Sequence, residues 1–109
     1  MRSRYDAALS RLVPARERLE ATGGDATERA AVAAKIGWSL SYLGRYPEAV
    51  GTFAQATRLA PDWYGLHNGL GWSYLKLGRK AEAQAAFERA LSPRPGYGDA
   101  QEGLRLARG

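Results

Sequence analysis

The middle of this chain is one segment written twice. Residues 30–63 laid on 64–97 without gaps coincide at Gly37/Gly71, Trp38/Trp72, Ser39/Ser73, Leu43/Leu77, Gly44/Gly78, Arg45/Arg79, Glu48/Glu82, Ala49/Ala83, Phe53/Phe87, Ala56/Ala90 and Pro61/Pro95, always 34 positions apart. A fixed period of this length implies a stack of like supersecondary units, because a unit so small buries its apolar face only against its neighbour. Within each unit the spacing is helical. Ala33, Ile36, Gly37, Leu40 and Leu43 make one stripe, and Ala49, Phe53 and Ala56 make a second after the Gly44 break. The repetition therefore restricts the fold to a stack of like units, each holding two helices.

The second copy reads His67-x2-Leu70-Gly71-x2-Tyr74, Ala83-x3-Phe87, Pro95, and the first reads Ala33-x2-Ile36-Gly37-x2-Leu40, Ala49-x3-Phe53, Pro61. In these residues the chain resembles the tetratricopeptide repeat family, whose unit carries W-x2-L-G-x2-Y, then A-x3-F, then P. It departs at the leading Trp, replaced by Ala33 and His67, and at Pro93, which should end the last helix of the second copy early. The resemblance implies an all-α solenoid of antiparallel helix pairs with a concave face that binds a peptide or a helix of another protein.

Taken in order, Tyr5, Ala8, Leu9 and Leu12 have the spacing of one helical face, and Pro14 punctuates or kinks the helix they begin. The segment reads as an N-terminal half-repeat over 4–22. Gly23 and Gly24 end it, and Asp25 with Glu28 forms a capping box for the next helix. The first repeat spans 28–61 and the second 62–95, with Asp62 expected to cap the helix that opens the second. A glycine inside a helix costs roughly 1 kcal/mol against alanine, so Gly37 and Gly71 require a packing reason. The expected one is that Phe53 fills the space left by Gly37, Ala49 and Ala56. Residues 97–108 form a terminal capping helix, where Arg105 replaces the glycine of the repeats and blocks further docking. The whole is one domain over 1–109 with five or six helices.

Sixteen Lys and Arg against 11 Asp and Glu give a net charge of +5. The basic residues are interleaved with acids along the chain, whereas a phosphate backbone needs a contiguous stripe. Nucleic acid is therefore not expected as a partner. No stretch approaches the length of a membrane span, and the start lacks an apolar core of the kind a leader requires. Neither membrane insertion nor export is expected, which points to the cytoplasm, or to the periplasm for a module of a longer protein. Cysteine is absent, so there is no disulfide framework.

Catalytic chemistry is sparse. His67 is the single histidine, no Asp, Glu or His residues fall at triad or metal-ligand spacing, and the repeated glycines lie inside helices rather than in a phosphate loop. No catalytic residue, no metal site and no cofactor are expected, and the chain does not read as an enzyme. His67 reads as a hydrogen-bonded structural residue beside Leu70 and Tyr74.

Candidate binding residues lie on the stripe that the core does not use. Ala34, Trp38 and Tyr42 recur four apart on the first helix of the first repeat, as Asn68, Trp72 and Lys76 do in the second, with Leu75 and Lys35 beside them. The resemblance implies that this stripe lines the groove. Trp38 and Trp72 would then be aromatic platforms, Tyr42 a mixed apolar and hydroxyl contact, Asn68 a clasp on a peptide backbone, and Lys35 and Lys76 a bias toward acidic ligands. Some family members clamp a C-terminal carboxylate with Lys and Asn on successive first helices, but Lys35 is one position away from the slot that Asn68 fills, so that clamp is incomplete. Two alternatives stand beside a scaffold or adaptor: self-assembly through the incomplete N-terminal half-repeat, and a regulatory domain of a larger secretion or envelope-assembly protein. Both tryptophans would also recur if they only closed the gap between neighbouring first helices.

Overall fold

A computed structural model describes residues 3–109. These form six helices, α1 (Arg4–Thr22), α2 (Ala26–Tyr42), α3 (Tyr46–Leu59), α4 (Tyr64–Lys76), α5 (Lys80–Leu91) and α6 (Gly98–Arg108), and no strand occurs among the described residues. The helix pairs α2/α3 and α4/α5 are the two copies of the repeat. Each pair turns on a glycine: Gly44 and Gly78 have φ of 78° and 76°, a left-handed conformation that a side chain would strain. The following amides, Arg45 N–H and Arg79 N–H, reach back to the Leu40 and Tyr74 carbonyls and close the turn.

The helices stack into a slab of 41 × 34 × 19 Å, two helix diameters thick. Each helix packs on the next in sequence. In addition α2 touches α4 and α4 touches α6, whereas α3 and α5 do not meet. The row α2, α4, α6 is therefore the inner side of a curved stack and α3 and α5 stand on the outer side.

The core explains the repeated glycines. Phe53 is fully buried at the centre of the first cluster with Ile36, Leu40, Ala49, Ala56 and Leu66, and Phe87 anchors the second with Ala83, Ala90, Ala100 and Leu104. A Cβ added at Gly37 would lie 2.8 Å from the Phe53 ring, and one at Gly71 would lie 2.6 Å from the Phe87 ring. The opposite side of each ring is closed in the same way. A Cβ at Gly69 would come within 2.6 Å of Phe53, and one at Gly103 would collide with Phe87. Each ring thus slots between a glycine of its own repeat and a glycine of the next first helix. Gly69 and Gly103 are the half of the slot that the repeated motif did not reveal. Lys35 stands at the equivalent position of α2 and is exposed, so α2 offers no such slot on the side where α1 packs.

Local details refine several expectations. The helix α1 is continuous through Pro14, so the segment is one helix and not two; Pro14 and Ser10, whose carbonyl loses its donor, both lie on the exposed side. Ser3 and Asp6 make a reciprocal capping box at its start. Asp25 accepts from the Glu28 amide at 2.9 Å, without the return bond from Glu28. Asp62 does not cap α4: Pro61 and Asp62 are the middle of a turn closed by Trp63 N–H on the Ala60 carbonyl, so the cap position falls to Trp63. Pro93 does shorten α5, which ends at Leu91 while α3 reaches Leu59, the counterpart of Pro93.

Candidate functional site

On the inner row, Trp38 and Trp72 hold equivalent positions and make the same core contact. Each ring meets its repeat's phenylalanine edge-on, at 5.3 Å for Trp38–Phe53 and 5.5 Å for Trp72–Phe87. Both tryptophans are therefore packing residues on one side, and each is half-buried. On the other side their surroundings diverge, because the helix that follows each carries a different residue. Asp99, in the first turn of α6, accepts a bond of 3.1 Å from Trp72 Nε1 and one of 2.7 Å from Asn68 Nδ2. The residue one period earlier is Gly65, which brings nothing to Trp38.

The second seam is stitched further. Tyr97 accepts from Asn68 Nδ2 at 3.2 Å and meets Tyr64 edge-on, while Arg94 donates to the Tyr64 hydroxyl at 2.7 Å. Burial, together with the nearby Asp99, pushes the Tyr97 hydroxyl above the usual phenol range. The counterparts of Tyr64 and Arg94 in the first seam are Ala30 and Ala60. Asn68 is 1% exposed with its amide nitrogen fully engaged within the chain, which corrects the expectation of a peptide clasp. Ala34 is likewise buried, at 7% exposed, and serves the packing of α2. Leu75 is half-buried against the second cluster, and Lys76 is exposed at the end of α4.

The remaining candidates, Lys35, Trp38 and Tyr42, converge. With Ser39 they occupy one face of α2 at i, i+3, i+4 and i+7, and that face looks across at Arg4, Tyr5, Ala8, Arg11 and Leu12 on one face of α1. Between the two faces is a cleft of about 690 Å³. Tyr42 is 64% exposed and stacks on Tyr5 at 4.8 Å between ring centroids. Trp38 continues the aromatic row, 6.2 Å from Tyr42. The α1 side of this cleft was not legible in the sequence, since α1 lies outside the period and shows only its apolar spacing.

Charge is unevenly distributed around it. The carboxylates of Glu48, Glu82 and Glu102 are bound bidentately by Arg45, Arg79 and Arg105 within their own helix turns. These hydrogen bonds hold Glu48 and Glu102 below the usual carboxylate range. All three pairs are exposed and add little to stability. Arg4, Arg11 and Lys35 at the cleft have no carboxylate within ion-pair distance among the described residues.

His67 lies elsewhere. It is buried, and its Nε2–H donates to the Pro61 carbonyl at 2.7 Å, a structural tie between α4 and the turn before it. Among the described residues no three His, Cys, Asp or Glu side chains converge as metal ligands would. No helix among them is long and apolar enough to cross a membrane.

A comparison with curated proteins returned no match. The family model described as Tetratricopeptide repeat matches residues 34–98, which spans α3, α4, α5 and the C-terminal half of α2. With more than half of its length matched and two glycine-slotted helix pairs at the repeat's period, the chain belongs to the tetratricopeptide repeat family.

Proposed function

We propose that the chain is a protein-binding adaptor whose partner presents a peptide or a helical segment to the N-terminal end of the inner row, around Trp38 and Tyr42. Tetratricopeptide repeats generally mediate protein–protein interaction, and the proposal concerns where this one does so. The observation that supports it is the unequal treatment of two equivalent tryptophans. Asp99 occupies the indole N–H of Trp72 from within the chain, while Trp38 and Tyr42 open onto the cleft between α1 and α2. A volume of about 690 Å³ lies in the range of ligand-binding clefts, and exposed aromatic side chains are the commonest anchors of interfaces.

Self-assembly has less support. Its motive was apolar surface on the N-terminal segment, but Leu9, Leu12 and Val13 pack against the first core cluster.

The test is Tyr42→Ala, which opens no cavity in either core cluster and gives up the exposed stack on Tyr5, so that the melting temperature should fall by only about 2–5 °C. Peptides selected by display on the immobilised protein should shift the Trp38 indole resonance and lose roughly 30-fold in affinity on this substitution. Selected peptides that move only α5 and α6 resonances, and bind Tyr42→Ala as well as the parent, would refute the location.

A further inference from the structure

The chemistry of the cleft narrows the occupant of the docking position at Trp38 and Tyr42, and the narrower assignment rests on that position. Its floor is apolar and aromatic, made by Trp38, Tyr5 and Leu12, and its rim carries Arg4, Arg11 and Lys35. No Asp or Glu lines it. The three cations are exposed, are spread over both helices, and have no intramolecular ion-pair partner among the described residues. By contrast, Arg45 and Arg79 at the two repeat turns are each neutralised by a glutamate three residues on. Arg4 additionally lies 5.5 Å from the Tyr5 ring centroid, so its guanidinium is held over the aromatic floor.

We infer that the α1–α2 cleft receives an acidic peptide segment carrying one large apolar side chain, with the apolar group set on Trp38 and Tyr42 and flanking carboxylates placed against Arg4, Arg11 and Lys35. The arrangement differs from a carboxylate clamp, because the cations sit on two antiparallel helices facing each other and one of those helices lies before the repeats. Charge complementarity selects the acid. The cleft selects the apolar anchor, since a ligand recognised by charge alone would gain nothing from an aromatic floor. Three cations at one cleft do not form the long stripe that a nucleic-acid backbone requires.

The experiment titrates the full chain with a Glu-rich synthetic peptide holding a single central Phe, followed by the Trp38 indole resonance and the amides of Lys35 and Tyr42. Parallel titrations use its Gln-for-Glu and Ala-for-Phe counterparts. The variant Arg4→Gln/Arg11→Gln/Lys35→Gln changes only exposed side chains and should melt like the parent. The expected result is that the acidic Phe peptide shifts these resonances, that either counterpart binds about tenfold more weakly, and that the triple variant loses about tenfold for the acidic peptide alone, as three exposed ion pairs imply. Equal, salt-insensitive binding of the Glu and Gln peptides at Trp38 would overturn the acidic occupant and leave the docking position standing. Binding that moves only resonances away from α1 and α2 would overturn both. Tighter engagement of the same resonances by phosphatidylserine vesicles or by a single-stranded oligonucleotide would replace the peptide with that class of partner.

Discussion

Two glycine-to-alanine substitutions in helix interiors should change stability in opposite directions, because one glycine is a slot for a ring and the other is not. Gly51 lies in the middle of α3, exposed, and a Cβ there would meet nothing within 4 Å. Gly51→Ala should therefore gain helix propensity and chain-entropy benefit alone, about 0.5–1 kcal/mol. At Gly71 the same gain applies, but the new Cβ would lie 2.6 Å from the Phe87 ring, about 1 Å short of ordinary contact. The ring has no retreat. It is fully buried, with Gly103 closing its far side and Trp72 at its edge. Overpacking of a rigid core costs about 1–3 kcal/mol, and here the upper half of that range applies, leaving Gly71→Ala less stable by about 1–2 kcal/mol. For a domain near 100 residues this is a melting temperature raised by roughly 2–5 °C for Gly51→Ala and lowered by roughly 4–10 °C for Gly71→Ala. Thermal melts by circular dichroism measure both, and a third measurement isolates the cause. In a Phe87→Leu background the added methyl has room, so Gly71→Ala should cease to destabilise, with a coupling of about 1 kcal/mol or more. If Gly71→Ala melts at or above the parent, or if its cost persists without the ring, the slot does not set the packing of the repeats.

Asp99→Ala removes the acceptor shared by Asn68 and Trp72 and should cost about 1–2 kcal/mol, with faster amide exchange confined to α6, measured by hydrogen exchange. Because the Tyr97 hydroxyl is held above the usual phenol range, the folded state keeps its proton where the unfolded chain loses it. That contribution is fully present below about pH 10, the ordinary phenol value, and is lost as pH rises through the folded value. Melts should therefore fall more steeply on the alkaline side for the parent than for Tyr97→Phe, and identical slopes would contradict the assignment.

Whatever recurs in this chain is legible from the order of its residues. A contact made in every repeat leaves its residues at a constant offset, so the helix pairs, the Gly44 and Gly78 turns, and the seating of Phe53 and Phe87 against Gly37 and Gly71 could all be read there. Pro93, as an exception to the period, correctly foretold the shorter α5. Gly69 and Gly103 were visible as a spaced pair, but their purpose required knowing that a ring from the preceding repeat reaches them, a contact between units. What happens once is settled by packing. Asp99 has no counterpart earlier in the chain except Gly65, so nothing periodic announced that Asn68 and Trp72 would be tied to α6 while Trp38 stayed open. Asn68 read as a groove residue because its stripe is the inner one, and the structure buries it because its bonding partners arrive from 29 and 31 residues away. The cleft likewise depends on how the non-repeated α1 lies across α2, bringing Arg4 and Arg11 opposite Lys35. Helical periodicity specifies which face of a helix is apolar, and only packing specifies which other face it meets.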